Sequence, residues 1–258
     1  MNYLDFNGVG FGYTEQAPIL SQVNLTIGQG ERVLILGANG SGKSTLGLLA
    51  AGVLQPTRGQ LTVGESRHPI RRGIVFQNSR SQMVGASVQE DLAFGLTVLN
   101  RPAKEIREKV EQYLEMFGLA SKREHGVHQL SGGELRRLGL AAVLITEPDL
   151  IVLDEPLAML DQANQEIVLK ILTTLIPKNT AVIWLDHDLR SVRHMPTRYI
   201  LTPEGHVEPV TLDMLNSREF LAEHGLRPAP LQALEWKYPH LIKNAILGPK
   251  AIEVNHHA

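Results

Sequence analysis

The run Arg32-Val33-Leu34-Ile35-Leu36-Gly37-Ala38-Asn39-Gly40-Ser41-Gly42-Lys43-Ser44-Thr45 decides the reading of this chain. Its apolar start, entered from Gly28-Gln29-Gly30, reads as a buried strand, and a helix pattern of small residues opens at Lys43. Between strand and helix, the spacing of Gly37, Gly42, Lys43 and Ser44 is that of a phosphate-binding P-loop in the context such a loop requires. Asn39, Gly40, Ser41, Gly42, Lys43, Ser44 and Thr45 are the candidate phosphate-binding residues. Glycines let backbone N–H groups curl inward around a phosphate, and the helix N-terminus adds positive potential there. Lys43 is expected to neutralise β- and γ-phosphate oxygens, and Ser44 to offer its hydroxyl to Mg2+.

A second stretch completes that chemistry. Leu150-Ile151-Val152-Leu153-Asp154-Glu155 is an apolar strand ending in two carboxylates. Asp154 is expected to orient Mg2+ through its water shell and Glu155 to align an attacking water. Leu130-Ser131-Gly132-Gly133-Glu134 opens another helix with a hydroxyl and two glycines. It fits a phosphate at a helix N-terminus, but taken alone it reads first as a helix cap.

Outward from these motifs, residues 1–36 read as short strands, and strands are also expected at 60–63 and 73–76. From Ser87 to about Gly118 the pattern is helical, divided at Pro102. Residues 134–201 then alternate helix and strand, as a parallel sheet demands, and His206-Val207 is expected to close an edge hairpin. The tail beyond residue 211 reads as short helices broken by Pro228, Pro230, Pro239 and Pro249.

Composition narrows the classes. Among 258 residues, 25 Lys+Arg stand against 27 Asp+Glu and aromatics make up 5%, so neither a basic footprint nor stacking platforms support a nucleic-acid partner. The absence of Cys excludes a disulfide framework and thiolate metal sites, and fits a reducing compartment. The longest solidly apolar run, residues 46–54, is too short to cross a bilayer, and Met1–Phe6 carries an acid where a signal peptide carries bases, so a cytoplasmic chain is expected.

In order along the chain stand the P-loop, Gln77 after a strand, Leu-Ser-Gly-Gly-Glu, Leu-Asp-Glu-Pro, Leu-Asp, and His187 after Trp184-Leu185-Asp186. This series over residues 3–210 resembles the ABC ATPase subunit. The resemblance implies an α/β fold: an antiparallel β-subdomain, a RecA-like parallel-sheet core, an α-helical signature subdomain at about 80–146, and a small helical C-terminal extension at 211–258. It implies that ATP and Mg2+ are bound. Tyr13 would stack on adenine, and Gln77 would reach Mg2+ and the attacking water. Ser131, Gly132 and Gly133 would contact the γ-phosphate held by an opposite subunit, Asp161 would cross the dimer interface, and His187 would reach the γ-phosphate. Without the resemblance, a lone His after a strand is an ordinary surface or core residue. One P-loop and one signature per chain further imply a second ATPase chain, head to tail.

Residues 75–78 and 82–96, Met159-Leu160-Asp161 and the segment 220–228 are similar to the energy-coupling factor (ECF) ATPases. In that family two ATPases, identical or homologous, dock on a transmembrane T component while a membrane S component binds a vitamin or metal ion, which places the chain at the cytoplasmic face of the membrane. The segment 211–258 would then pair the ATPases. One departure stands at Arg80, where the family has an acid facing an Arg-bearing helix of the T component, leaving apolar burial and Gln82 for that contact. The alternatives are the ATPase of a binding-protein-dependent importer, a soluble ABC ATPase, or a regulatory subunit without turnover; the last is disfavoured by Glu155 and His187. His256-His257 reads as a solvated tail.

Overall fold

The computed structural model describes residues 1–14, 16–64, 69–189, 197–202 and 204–228. Two sheets organise them. The strands β1 (Asn2–Phe11), β2 (Leu20–Gly28) and β4 (Arg58–Val63) form an antiparallel sheet in the order β2-β1-β4. The six-stranded sheet has the order β5-β6-β7-β3-β8-β9, built from β3 (Arg32–Leu36), β5 (Arg72–Val75), β6 (Leu150–Asp154), β7 (Ala181–Asp186), β8 (Thr197–Leu201) and β9 (Val207–Pro209). Its pairings are parallel except for the β8–β9 edge hairpin, as expected for residues 199–207.

The central strands are apolar throughout because both faces of the parallel sheet are covered. Strand alternation divides them cleanly. Val33, Ile35, Leu150, Val152, Ile183 and Leu185 join the core shared with α1 (Lys43–Ala51) and the antiparallel sheet. Leu34, Leu36, Ile151, Leu153, Val182 and Trp184 face the opposite core, under the helices. Truncating one of these fully buried side chains to Ala costs about 2–5 kcal/mol, so the sheet that carries the motif-bearing loops is rigid.

Three helices lie on the side of the second core: α4 (Gly132–Leu144) packs against β5, α2 (Val88–Val98) packs on α4, and α3 (Ala103–Met116) packs on α2. Ser87 and Glu90 close a capping box at the start of α2, and Pro102 is the N-cap of α3. After β6, α5 (Gln162–Thr174) follows with Asp161 as its N-cap.

Beyond β9 come α6 (Leu212–Leu215) and α7 (Arg218–Glu223). Val210, Leu215, Leu221 and Leu226 enter the same core as Trp184 and Leu153, so residues 211–228 are packed on the sheet domain. The rest of the expected extension, His256-His257 included, lies outside the described residues. Among those described, no helix is long and apolar enough to cross a membrane.

Candidate active site

The loop between β3 and α1 is shaped by glycine. Gly40 (φ 83°) and Gly42 (φ 97°) are left-handed, and a β-carbon on Gly42 would lie 2.7 Å from Ile19 Cγ2. Gly42 is the N-cap of α1, which has neither a side-chain cap nor an acid in its first turn, so the first amides of the helix lack a side-chain acceptor. The Lys43 ammonium folds back over the loop and donates to the carbonyls of Gly37 (2.9 Å) and Ala38 (2.8 Å). Burial pulls its pKa down, while Glu155, Asp154 and Asp186 act to raise it. The Ser41 hydroxyl is buried with no hydrogen-bond partner. An uncapped helix start, a buried cation and an orphaned hydroxyl together fit a bound phosphate chain.

Three remote segments converge on this loop. The Glu155 carboxylate receives the Gln77 amide Nε2 on Oε2 at 2.8 Å, and His187 Nδ1 lies 2.9 Å from Oε1. Glu155 itself has φ 43°, a backbone conformation costing on the order of 1–3 kcal/mol at a non-glycine residue. Next to it, Asp154 is buried and hydrogen-bonded by the Ser44 side chain; burial pushes its pKa up, and the Ser44 bond opposes that. No three His, Cys, Asp or Glu side chains among the described residues converge as a metal site. The Ser44 hydroxyl with the Asp154 carboxylate is nevertheless the hard-oxygen pair that suits Mg2+, which takes its other ligands from phosphates and water.

Two supporting residues escape sequence reading. Arg136 of α4 is 4% exposed, and its guanidinium donates to the main-chain carbonyls of Phe76 (2.8 Å) and Gln77 (2.6 Å). Charged hydrogen bonds of this kind contribute about 1.5–3 kcal/mol each, and they tie the loop bearing Gln77 to the signature helix. Asp186, the residue before His187, is 6% exposed and accepts from the Trp184 indole. The flanking Leu135-Arg136-Arg137-Leu138 has no pattern that separates the buried arginine from its half-buried neighbour.

Ser131, Gly132, Gly133 and Asp161 form a second cluster. Ser131 Oγ accepts from Glu134 N at 3.3 Å while Glu134 Oε2 accepts from Ser131 N at 2.8 Å, a closed capping box. A β-carbon on Gly133 would collide with Asn164 Oδ1, whereas one on Gly132 would meet nothing within 4 Å. Asn164 in turn donates to Asp161, so the starts of α4 and α5 are neighbours. Met159, two residues before Asp161, has φ 60° and is 93% exposed.

Tyr13 is 63% exposed, edge-on to Phe11 at 5.1 Å, and lines a cleft of about 1170 Å³ with Leu20, Arg58 and His206. Gln82, expected to serve a partner, is engaged inside the chain: its Oε1 accepts from Phe76 N (3.0 Å) and its Nε2 donates to Gly139 O (3.1 Å). Arg80 stands exposed beside it.

A P-loop at the end of β3, with carboxylates at the end of β6 one strand removed across β7, defines a nucleoside-triphosphate-hydrolysing protein of the P-loop class. The profile of the ABC transporter family matches residues 20–158. The chain therefore belongs to the ABC transporter family, as an ATPase whose hydrolysis is coupled to transport. It is similar to the energy-coupling factor transporter ATP-binding protein EcfA of Methanothermobacter thermautotrophicus, 31% identical with 87% of this chain and 76% of the relative covered. The EcfA of Methanosarcina acetivorans is 38% identical, with 77% and 76% covered. Among solved structures, cbiO1 of Clostridium perfringens, described as part of the ABC transporter complex cbiONQ, aligns with TM-score 0.72 at 27% identity over 95% of this chain and 100% of that one. A dimeric bacterial ABC transporter cassette aligns with TM-score 0.71 at 26% identity over 80% and 96%.

Proposed function

We propose that this chain is the ATP-binding and ATP-hydrolysing subunit of an ECF-type importer at the cytoplasmic face of a cell membrane. It drives uptake of a vitamin or other micronutrient through a transmembrane T component and a substrate-binding S component. The EcfA-named relatives and the cbiO1 likeness support the ECF reading. The observation that carries the catalytic reading is the Glu155 carboxylate, held between Gln77 and His187 at the mouth of the P-loop.

In this reading the amides of residues 39–45 and the Lys43 ammonium bind the phosphates, and Tyr13 stacks on adenine. Ser44 and Asp154, with Gln77, hold Mg2+, which neutralises phosphate charge when bound. Glu155 orients the attacking water and takes up its proton, while His187 steadies the γ-phosphate. The start of α4, with Ser131 and Gly132 exposed and Gly133 buried behind them, meets the nucleotide of a second ATPase, identical or homologous, and Asp161 lies at that interface. The nearly bare Met159 on the neighbouring loop supports an interface there. Closure of the dimer on ATP and reopening after hydrolysis is the stroke passed to the membrane partners.

The Glu155→Gln variant tests the catalytic assignment. It keeps the side chain's shape and an acceptor for Gln77 but loses the base, so ATP binding should stay within a few-fold while turnover falls about 100-fold or more, and a closed dimer should accumulate in gel filtration with ATP. Hydrolysis at the parental rate would remove Glu155 from this role. Co-purification from solubilised membranes tests the ECF reading separately: a T component with an S component supports it, and a periplasmic-type binding-protein system overturns it.

A further inference from the structure

Directly behind His187 lies a carboxylate with no part in the steps above. Asp186 ends β7, and its neighbour two positions back, Trp184, points to the same face of the sheet. Oδ2 of Asp186 accepts from the indole Nε1 at 3.1 Å; Oδ1 accepts from the main-chain N–H of His187 at 2.8 Å and of Asp188 at 3.1 Å. Burying a carboxylate is costly unless donors surround it, and burial does push the Asp186 pKa up. Two of its three donors come from the turn that carries His187. On the other side of that turn, the His187 carbonyl accepts from Arg227 N at 3.2 Å. Both main-chain polar groups of His187 are therefore engaged, and the remaining freedom is the ring, whose Nδ1 lies 2.9 Å from Glu155 and 3.8 Å from Asp186.

We propose that Asp186, anchored by the Trp184 indole, is a positioning residue that fixes the turn so that His187 and Glu155 meet the γ-phosphate in one arrangement. The inference rests on the assignment of His187 to the γ-phosphate made above. A carboxylate is suited to this position because it offers acceptors on both oxygens. An amide offers one oxygen and places an NH2 group against either the indole N–H or the two main-chain N–H groups, and two buried donors then face each other.

The test compares Asp186→Asn, Trp184→Phe with Asp186→Asn, and His187→Ala, each measured for ATP affinity, kcat and thermal unfolding with the purified chain and Mg2+. D186N should lower kcat about 10-fold with ATP affinity within about 2-fold, because a displaced catalytic group costs rate rather than binding. The double variant removes the conflicting donor and should recover kcat to within about 3-fold of the parent. If D186N fails to fold, the double variant carries the test, since it no longer sets two buried donors against each other. An unchanged kcat in D186N with only a lower melting temperature would make the carboxylate a stability element and overturn the proposal. A double variant as slow as D186N would overturn the indole anchor. Parental hydrolysis by H187A would instead refute the underlying role of His187, and would be recognised independently of either Asp186 variant.

Discussion

Helices α1 and α4 both begin at glycines, and both were candidates to hold phosphate, yet their first turns are filled in opposite ways. The start of α1 has no side-chain cap, a buried lysine folded across it and an unpartnered Ser41 hydroxyl. The start of α4 closes on itself: Ser131 and Glu134 cap each other, and the Glu134 pKa is held below the usual carboxylate range, chiefly by the Ser131 N–H. A helix start that keeps its donors open is prepared for an anion supplied with its own chain. One that is already capped is stable in the single subunit, and a ligand must compete with that cap. The difference matches the proposed division of labour, in which α1 holds the chain's own ATP and α4 engages nucleotide only when a facing subunit presents it.

The comparison breaks most visibly at Lys43. Lys43→Ala should lower ATP hydrolysis by about 100-fold or more with loss of ATP affinity, measured by phosphate release and titration calorimetry; retained turnover would show that the open start of α1 is not the phosphate site. The two glycines of α4 sharpen it next. Gly133→Ala drives a methyl into Asn164 and should cost about 1–3 kcal/mol of stability. Gly132→Ala meets nothing and should leave the melting temperature within about 2 °C while weakening ATP-driven dimerisation. Equal behaviour of the two variants would dissolve the distinction between a packing glycine and an interface glycine. The smallest effect is expected at Glu134. Its folded pKa is depressed, so its contribution is full above the unfolded carboxylate value of about 4.3 and disappears as pH falls through the lower folded value. Glu134→Gln should therefore be less stable than the parent near neutral pH and converge with it in acid, as read by denaturant unfolding across that range.

What could be read from the sequence follows contact range. The P-loop was legible because phosphate is bound by consecutive backbone groups, so its glycine spacing is written in adjacent residues. Strands such as Leu150–Asp154 were legible because burial on both faces demands an unbroken apolar run. Arg136 was not, since its partners are two carbonyls roughly sixty residues earlier, and nothing local distinguishes it from Arg137. Gln82 reads as a surface polar residue, but its amide bridges Phe76 to Gly139 inside the chain. The segment 211–228 reads as the beginning of a tail, yet Leu221 and Leu226 fill the core beside the sheet, and Arg227 reaches the main chain of His187.

By itself the sequence determined the class of chemistry: which residues can surround phosphate, which carboxylates end a buried strand, and the order in which the motifs occur. Those properties reside in local spacing and in the period of hydrophobic burial. Only the tertiary structure decided which groups share one charge environment. Gln77, Glu155 and His187 come from three separate loops and meet because β5, β6 and β7 lie side by side. The engaged cap on α4, the strut from Arg136 and the donors around Asp186 depend on the same adjacency. Hydrogen bonds and ion pairs act over a few ångströms, and sheet order, which the linear sequence does not state, sets which distant residues come that close.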